Sequence, residues 1–110
     1  MRVLFLPERF PPQSGGVAVS ARRNARHLAP HLERLEVLYL DGDLPVGTSE
    51  THEESGYLVH RLGRAERQED SLQLLELAAC RLARHMQAQI VHGFHAVPAG
   101  FVATLVARRL

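Results

Sequence analysis

Short apolar runs alternate with stretches of helical spacing along this chain. Val3-Leu4-Phe5-Leu6 is continuously apolar, as a parallel strand buried on both faces requires. From Val17 the spacing becomes helical. Val17, Ala21, Ala25, Leu28 and Leu32 share one face and Arg22, Arg23 and Arg26 another, which predicts a helix from about Val17 or Val19 to near Leu32. Pro30 disfavours helical geometry at the residue before it, so the helix either stops at about Ala29 or kinks there. Leu35 to Leu40 is a second strand and completes a βαβ unit. Asp41 to Gly56 is rich in acidic, hydroxyl and turn residues and predicts a long loop with little regular order. Tyr57 to Leu62 is a third strand, and the length of that loop leaves parallel and antiparallel pairing both open. Asp70 and Gln73 have the spacing of a capping box, and Leu72, Leu75, Ala79, Leu82 and Met86 then recur at intervals of three and four, predicting an amphipathic helix. Ile90-Val91-His92 is a fourth strand, and Pro98 suits the first turn of a last helix that still reads as helix at Leu110.

This alternation predicts an α/β domain with a mainly parallel sheet between helical layers. At 110 residues the chain is one domain at most, small for a complete doubly wound enzyme, and the helical pattern at its end predicts part of a larger architecture. An incomplete sheet exposes an edge or an apolar helix face, which predicts a homodimer. The 13 basic and 12 acidic residues nearly cancel, so overall charge directs the chain neither to nucleic acid nor to an acidic membrane. The single cysteine, Cys80, has no intrachain partner and lies in a helical apolar pattern, consistent with packing in a reducing compartment. No apolar run approaches the roughly 20 residues of a membrane span. The expected location is cytoplasmic, with attachment to a membrane surface left open.

Candidate chemistry gathers at two strand-to-helix junctions, where open α/β sheets bind ligands. In the first, the segment from Pro7 to Gly16 ends in Gly15-Gly16 at a helix start, where free N–H groups and the helix dipole favour an anion. It has neither the Gly-x-Gly-x-x-Gly of dinucleotide folds nor the Gly-Lys-Ser/Thr of the P-loop. Taken alone, the glycine pair equally serves to turn a proline-rich loop into the helix. The second junction carries His92 at a strand end and His95 in the following loop, where an imidazole can hydrogen-bond a sugar hydroxyl or, when protonated, pair with phosphate. His92 also fits a strand residue packed against a neighbour. His27 and His31 stand four apart but lack further ligands for a metal, Arg22, Arg23 and Arg26 read as a solvated helix face, and Glu8 and Asp41 read as exposed loop carboxylates. No motif calls for a cofactor or a metal.

Two segments together resemble a known family. The run from Val3-Leu4-Phe5-Leu6 through Phe10-Pro11-Pro12 to Gly15-Gly16-Val17, with a helix ending in His27-Leu28-Ala29, is the first; Ile90-Val91-His92-Gly93-Phe94-His95-Ala96-Val97-Pro98-Ala99-Gly100 is the second. Both are similar to segments of the amino-terminal domain of the GT-B glycosyltransferases, in particular family 4, the retaining group also called glycosyl transferase group 1. The resemblance implies that residues 1–110 are a fragment of the Rossmann-like, acceptor-side domain of a GT-B fold. The donor-binding carboxyl-terminal domain, with its paired glutamates, would be missing and the fragment inactive alone. It further implies a nucleotide-sugar donor whose phosphates meet the N–H groups of Gly15 and Gly16, with an unidentified acceptor. The family's second histidine falls here on Phe94, so its role toward the transferred sugar passes to His95 or to His92. The competing expectation is a small flavodoxin-like or receiver-like binding or regulatory domain, which a receiver's acidic cluster would support but Leu6-Pro7 does not supply. An NAD-linked domain lacks its glycine fingerprint here.

Overall fold

The apolar runs form the strands of a single sheet. A computed structural model describes residues 1–94, in which β1 (Arg2–Pro7), β2 (Arg34–Asp41), β3 (Ser49–Glu54), β4 (Tyr57–Gly63) and β5 (Ile90–Phe94) lie in the order β3-β4-β2-β1-β5. β1 pairs in parallel with both β2 and β5, and β2 in parallel with β4. The direction left open for the third predicted strand is therefore parallel. Two helices, α1 (Gly16–Leu28) and α2 (Gln68–Met86), connect β1 to β2 and β4 to β5.

Side-chain alternation divides the core into two layers. Val3, Phe5, Leu35, Val37, Tyr39, Tyr57 and Val59 face α1, whereas Leu4, Leu6, Leu38, Leu40 and Leu62 face α2. The first helix buries Ala18, Ala21 and Ala25, so its inner face is narrower than the predicted stripe and leaves Leu28 exposed. Small alanines let the helix lie close to the sheet. It stops at Leu28, and a short 3-10 turn, Ala29–His31, carries Pro30 where the ring is tolerated. The second helix buries Leu75, Ala79, Cys80, Ala83 and Met86, in keeping with Cys80 as a packing residue. No helix among the described residues is long and apolar enough to cross a membrane.

Two elements differ from the sequence expectation. Residues 49–54 are not loop but the antiparallel edge strand β3, paired with β4 from Ser49↔Leu62 to Glu54↔Tyr57. Ser-Glu-Thr-His-Glu-Glu carries no apolar alternation because neither face of this edge is covered; its charges also discourage pairing with another chain. The turn is Ser55-Gly56, with φ of 48° and 86°, the positive pair that a tight two-residue hairpin needs. Second, α2 begins at Gln68 rather than at an Asp70 cap, so Asp70 lies inside the first turn and complements the helix dipole instead. Ser71, the fourth residue of α2, is buried and ties down the preceding loop by accepting from the Ala65 N–H (2.8 Å) and donating to the Ala65 carbonyl (3.1 Å).

An ion-pair network joins β3 to α1. Arg22 donates to Glu54 Oε1 at 2.6 Å and the Tyr57 hydroxyl donates to Glu54 Oε2 at 2.7 Å, so Arg22 is not simply part of a solvated face. Burial alone would raise the Glu54 pKa, but these two hydrogen bonds outweigh it and hold the carboxyl below its ordinary 4.5. A carboxylate depressed in the folded state contributes stability that is complete above the unfolded value and lost as pH falls through the folded one. Unfolding free energy is therefore expected to decline as pH drops below about 4.5, and Glu54→Gln to flatten that part of the profile in urea titrations run at successive pH values. A wild-type slope retained in the variant would assign the acid sensitivity to other groups.

Candidate functional site

The strand order reverses at β1. From β1 the chain passes through α1 to β2 on one side, and from β4 through α2 it crosses to β5 on the other. Such a point opens a crevice at the carboxyl ends of the two strands flanking it, here β1 and β5. The segment between Pro7 and Gly16 leaves β1 at that edge.

This segment is a built loop rather than a loose one. Phe10 is fully buried and its ring packs against Tyr39 of β2 with centroids 5.8 Å apart. Gln13 closes the turn around the two prolines: its backbone N–H donates to the Phe10 carbonyl at 3.0 Å and its side-chain oxygen accepts from the Phe10 N–H at 3.1 Å. The Gln13 amide nitrogen then donates to the Leu40 carbonyl at 3.1 Å, fastening the loop to the end of β2. The Tyr39 hydroxyl beneath has no hydrogen-bond partner among the described residues, and burial pushes its pKa up to about 12.

The anchored loop sets the glycine pair at the start of α1. Gly15 has φ 111°, a conformation that side chains rarely adopt, so glycine is required there by the backbone itself. Gly16 differs. Its φ is not positive and a Cβ built on it meets nothing within 4 Å, so the fold itself gives no reason for glycine. The helix start carries no side-chain cap and no acidic residue in its first turn. Its leading N–H groups lack intrahelical acceptors and lie at the positive end of the dipole.

His92 lies on the same sheet face. It sits beside Phe5 in the β1–β5 ladder, its ring stacked on the Phe5 ring at 5.5 Å, and its side chain is exposed on the side that carries α1. The packing read from sequence and solvent exposure thus coexist, with one ring face on Phe5. His95 lies outside the described residues. His27 and His31 are exposed at the far end of α1, away from the strand ends where Gly15 and Gly16 sit.

Asp41 is not an exposed loop carboxylate. It ends β2, is only 3% exposed, and accepts from Arg61 Nε (3.0 Å) and Nη2 (2.9 Å) on Oδ2 and from the Asp43 N–H (2.9 Å) on Oδ1. Arg61 Nη1 reaches on to Glu50 at 3.2 Å. All of Asp41's accessible acceptor capacity serves the fold, and the pair sits at a strand end where sequence cannot reveal cross-strand register. Gly63, which closes β4, was likewise hidden: a Cβ there would overlap the Pro45 carbonyl, because the loop from Gly42 to Thr48 folds back onto it. Glu8, by contrast, is half-buried and has no hydrogen bond or ion pair among the described residues. It lines a cavity of about 300 Å³ at the carboxyl ends of β1, β2 and β4, on the α2 side.

The structure thus places Gly15 and Gly16 at the uncapped start of α1 and His92 on the sheet face that carries this helix, stacked on Phe5. No protein-family model matches the chain and no curated protein matches it.

Proposed function

We propose that this chain is the amino-terminal, acceptor-side part of a retaining glycosyltransferase that moves a sugar from a nucleotide-sugar to an acceptor. The observation that carries the reading is Gly16. It is a residue the fold does not need as glycine, placed at an uncapped helix start over the switch point. A glycine in that position keeps the surface low, so that a diphosphate can approach the N–H groups of the first turn. Charge builds on the leaving phosphates as the glycosidic bond breaks, and fixed N–H dipoles lower its energy without reorganisation. His92, on the same sheet face, supplies a hydrogen-bonding group for the transferred sugar, a role shared with His95 in the loop beyond. The strand order supports this reading over the competing one. Counting parallel strands along the chain, the third lies beside β2 and the fourth beside β1, as in the 3-2-1-4 half of dinucleotide folds; a flavodoxin-like domain puts the third beside β1. The donor nucleotide would be shared with a carboxyl-terminal domain carrying the paired glutamates. A cytoplasmic setting belongs to the same proposal, supported by the buried free thiol of Cys80.

The test uses the glycine that folding tolerates losing. Titration of the ¹⁵N-labelled chain with inorganic pyrophosphate, UDP and GDP is expected to shift the amides of Gly16, Val17 and Ala18 saturably. Gly16→Val is expected to leave the thermal midpoint unchanged, because its Cβ meets open space, while weakening the diphosphate at least tenfold, about 1.4 kcal/mol. Wild-type affinity in that variant, or shifts that bypass the start of α1, would refute the phosphate role.

A further inference from the structure

On the opposite face of the sheet from His92, the chain holds a second cavity-forming arrangement that the transfer chemistry at Gly16 does not use. We infer that the cavity of about 300 Å³ at the carboxyl ends of β1, β2 and β4 binds a small, uncharged, hydroxyl-rich molecule of the size of a single sugar ring. Its volume is at the lower end of the range typical of small-ligand sites, about 300–1,000 Å³. Leu40, Leu72 and Leu75 form an apolar floor, continuous with the core beneath α2. Glu8, Arg64, Glu66 and Gln68 form the rim.

The rim side chains are the notable part, because no protein hydrogen bond or ion pair among the described residues consumes them. Nearby polar side chains are committed: Arg61 to Asp41 and Glu50, Arg67 to Glu69, and Ser71 to the Ala65 backbone. The backbone that carries the rim is also fixed, since Arg64 donates its N–H to the Asp41 carbonyl at 3.2 Å and Ala65 is held by Ser71. With the backbone already fixed, the ordering that a ligand must impose is confined to the rim side chains themselves.

Charge and valence select the ligand class. Two carboxylates against one guanidinium leave the rim net negative, which disfavours a phosphate or carboxylate ligand. The carboxylates only accept, the guanidinium only donates, and the Gln68 amide does both, so the ligand must offer donors and acceptors from several directions. Hydroxyl groups are the groups that do this on a small scaffold, and the C–H face of a sugar ring suits the leucine floor. This inference is independent of the diphosphate reading, because the two sites lie on different faces of the sheet and share no side chain.

The experiment is a titration of the ¹⁵N-labelled chain with D-glucose, D-mannose, N-acetyl-D-glucosamine and glucose 6-phosphate. At least one neutral sugar is expected to shift the amides of Glu8, Arg64, Ala65 and Leu72 saturably in the millimolar range, with glucose 6-phosphate weaker. Arg64→Ala, which keeps the backbone bond to the Asp41 carbonyl and removes a side chain with no hydrogen bond or ion pair among the described residues, is expected to weaken that sugar roughly tenfold, as loss of a charged hydrogen bond implies. It should leave the pyrophosphate shifts at Gly16 untouched. Absence of saturable shifts with every neutral sugar, shifts confined to other residues, or tighter binding of the phosphorylated sugar would each overturn the inference, whatever the outcome at Gly16.

Discussion

Phe10→Ala is expected to destabilise the chain by about 3–5 kcal/mol and to release the loop that presents the glycine pair. The first part follows from burial. Phe10 is fully enclosed, stands against Tyr39, and belongs to the core layer formed with Val3, Phe5, Val37 and Ala21. Truncation removes transfer free energy and leaves a cavity that the neighbouring strands, held by parallel ladders on both sides, cannot close. The second part follows from where the ring sits. Phe10 is the loop's only residue plugged into the core, and the Gln13 bonds to its backbone and to Leu40 depend on its place. Urea unfolding measures the first effect; amide exchange at Gly15 to Val19 measures the second. Gln13→Ala separates them, because it cuts the fastening to β2 without opening the core, and is expected to speed exchange at the start of α1 with a stability loss near 1 kcal/mol. A Phe10→Ala loss below 1 kcal/mol would mean that the loop is not anchored by its aromatic ring.

The elements that sequence made legible are those whose burial is one-sided or complete. β1 and β2 are buried on both faces and appear as near-continuous apolar runs, β4 shows through Tyr57, Val59 and Leu62 although His60 and Arg61 are only half-buried, and α2 announces itself through leucines at helical spacing. β3 escaped because an exposed edge strand leaves no hydrophobic signature; only the Ser55-Gly56 pair before Tyr57 marked the hairpin. The start of α2 escaped for another reason. Asp70 and Gln73 have the spacing of a cap, but the helix extends back to Gln68, and spacing cannot say which acceptor the first N–H groups meet. The site was legible to a comparable depth. Gly15 and Gly16 could be placed at a helix start from sequence, but the distinction between a glycine demanded by φ and one the fold does not need required coordinates. Likewise His92 was placed at a strand end, whereas its stacking on Phe5 depends on β1 and β5 being neighbours, which only the topology supplies.

Register also decides the other large effect, because Arg61 lies opposite Tyr39 and Asp41 opposite Gly63, so the pair meets diagonally across β2 and β4 and neither residue is conspicuous alone. Arg61→Ala is expected to cost about 3 kcal/mol, the scale on which removing one partner of a buried pair strands the other charge. Asp41 is 3% exposed and keeps only the Asp43 N–H once the guanidinium is gone, since Arg61 supplies both bonds to Oδ2. The loss should spread beyond the pair. Arg61 also reaches Glu50 on β3, and the Asp41 carbonyl accepts from the Arg64 N–H, so the hairpin edge and the rim of the cavity share this support. A double-mutant cycle isolates the cause. Asn in place of Asp41 retains an acceptor for the Asp43 N–H and carries no charge, so Asp41→Asn combined with Arg61→Ala should recover much of the deficit of Arg61→Ala alone. Additive losses in urea unfolding would show instead that Arg61 acts through packing of its aliphatic stem, and the strand ends would then owe their order to the apolar layers rather than to this pair.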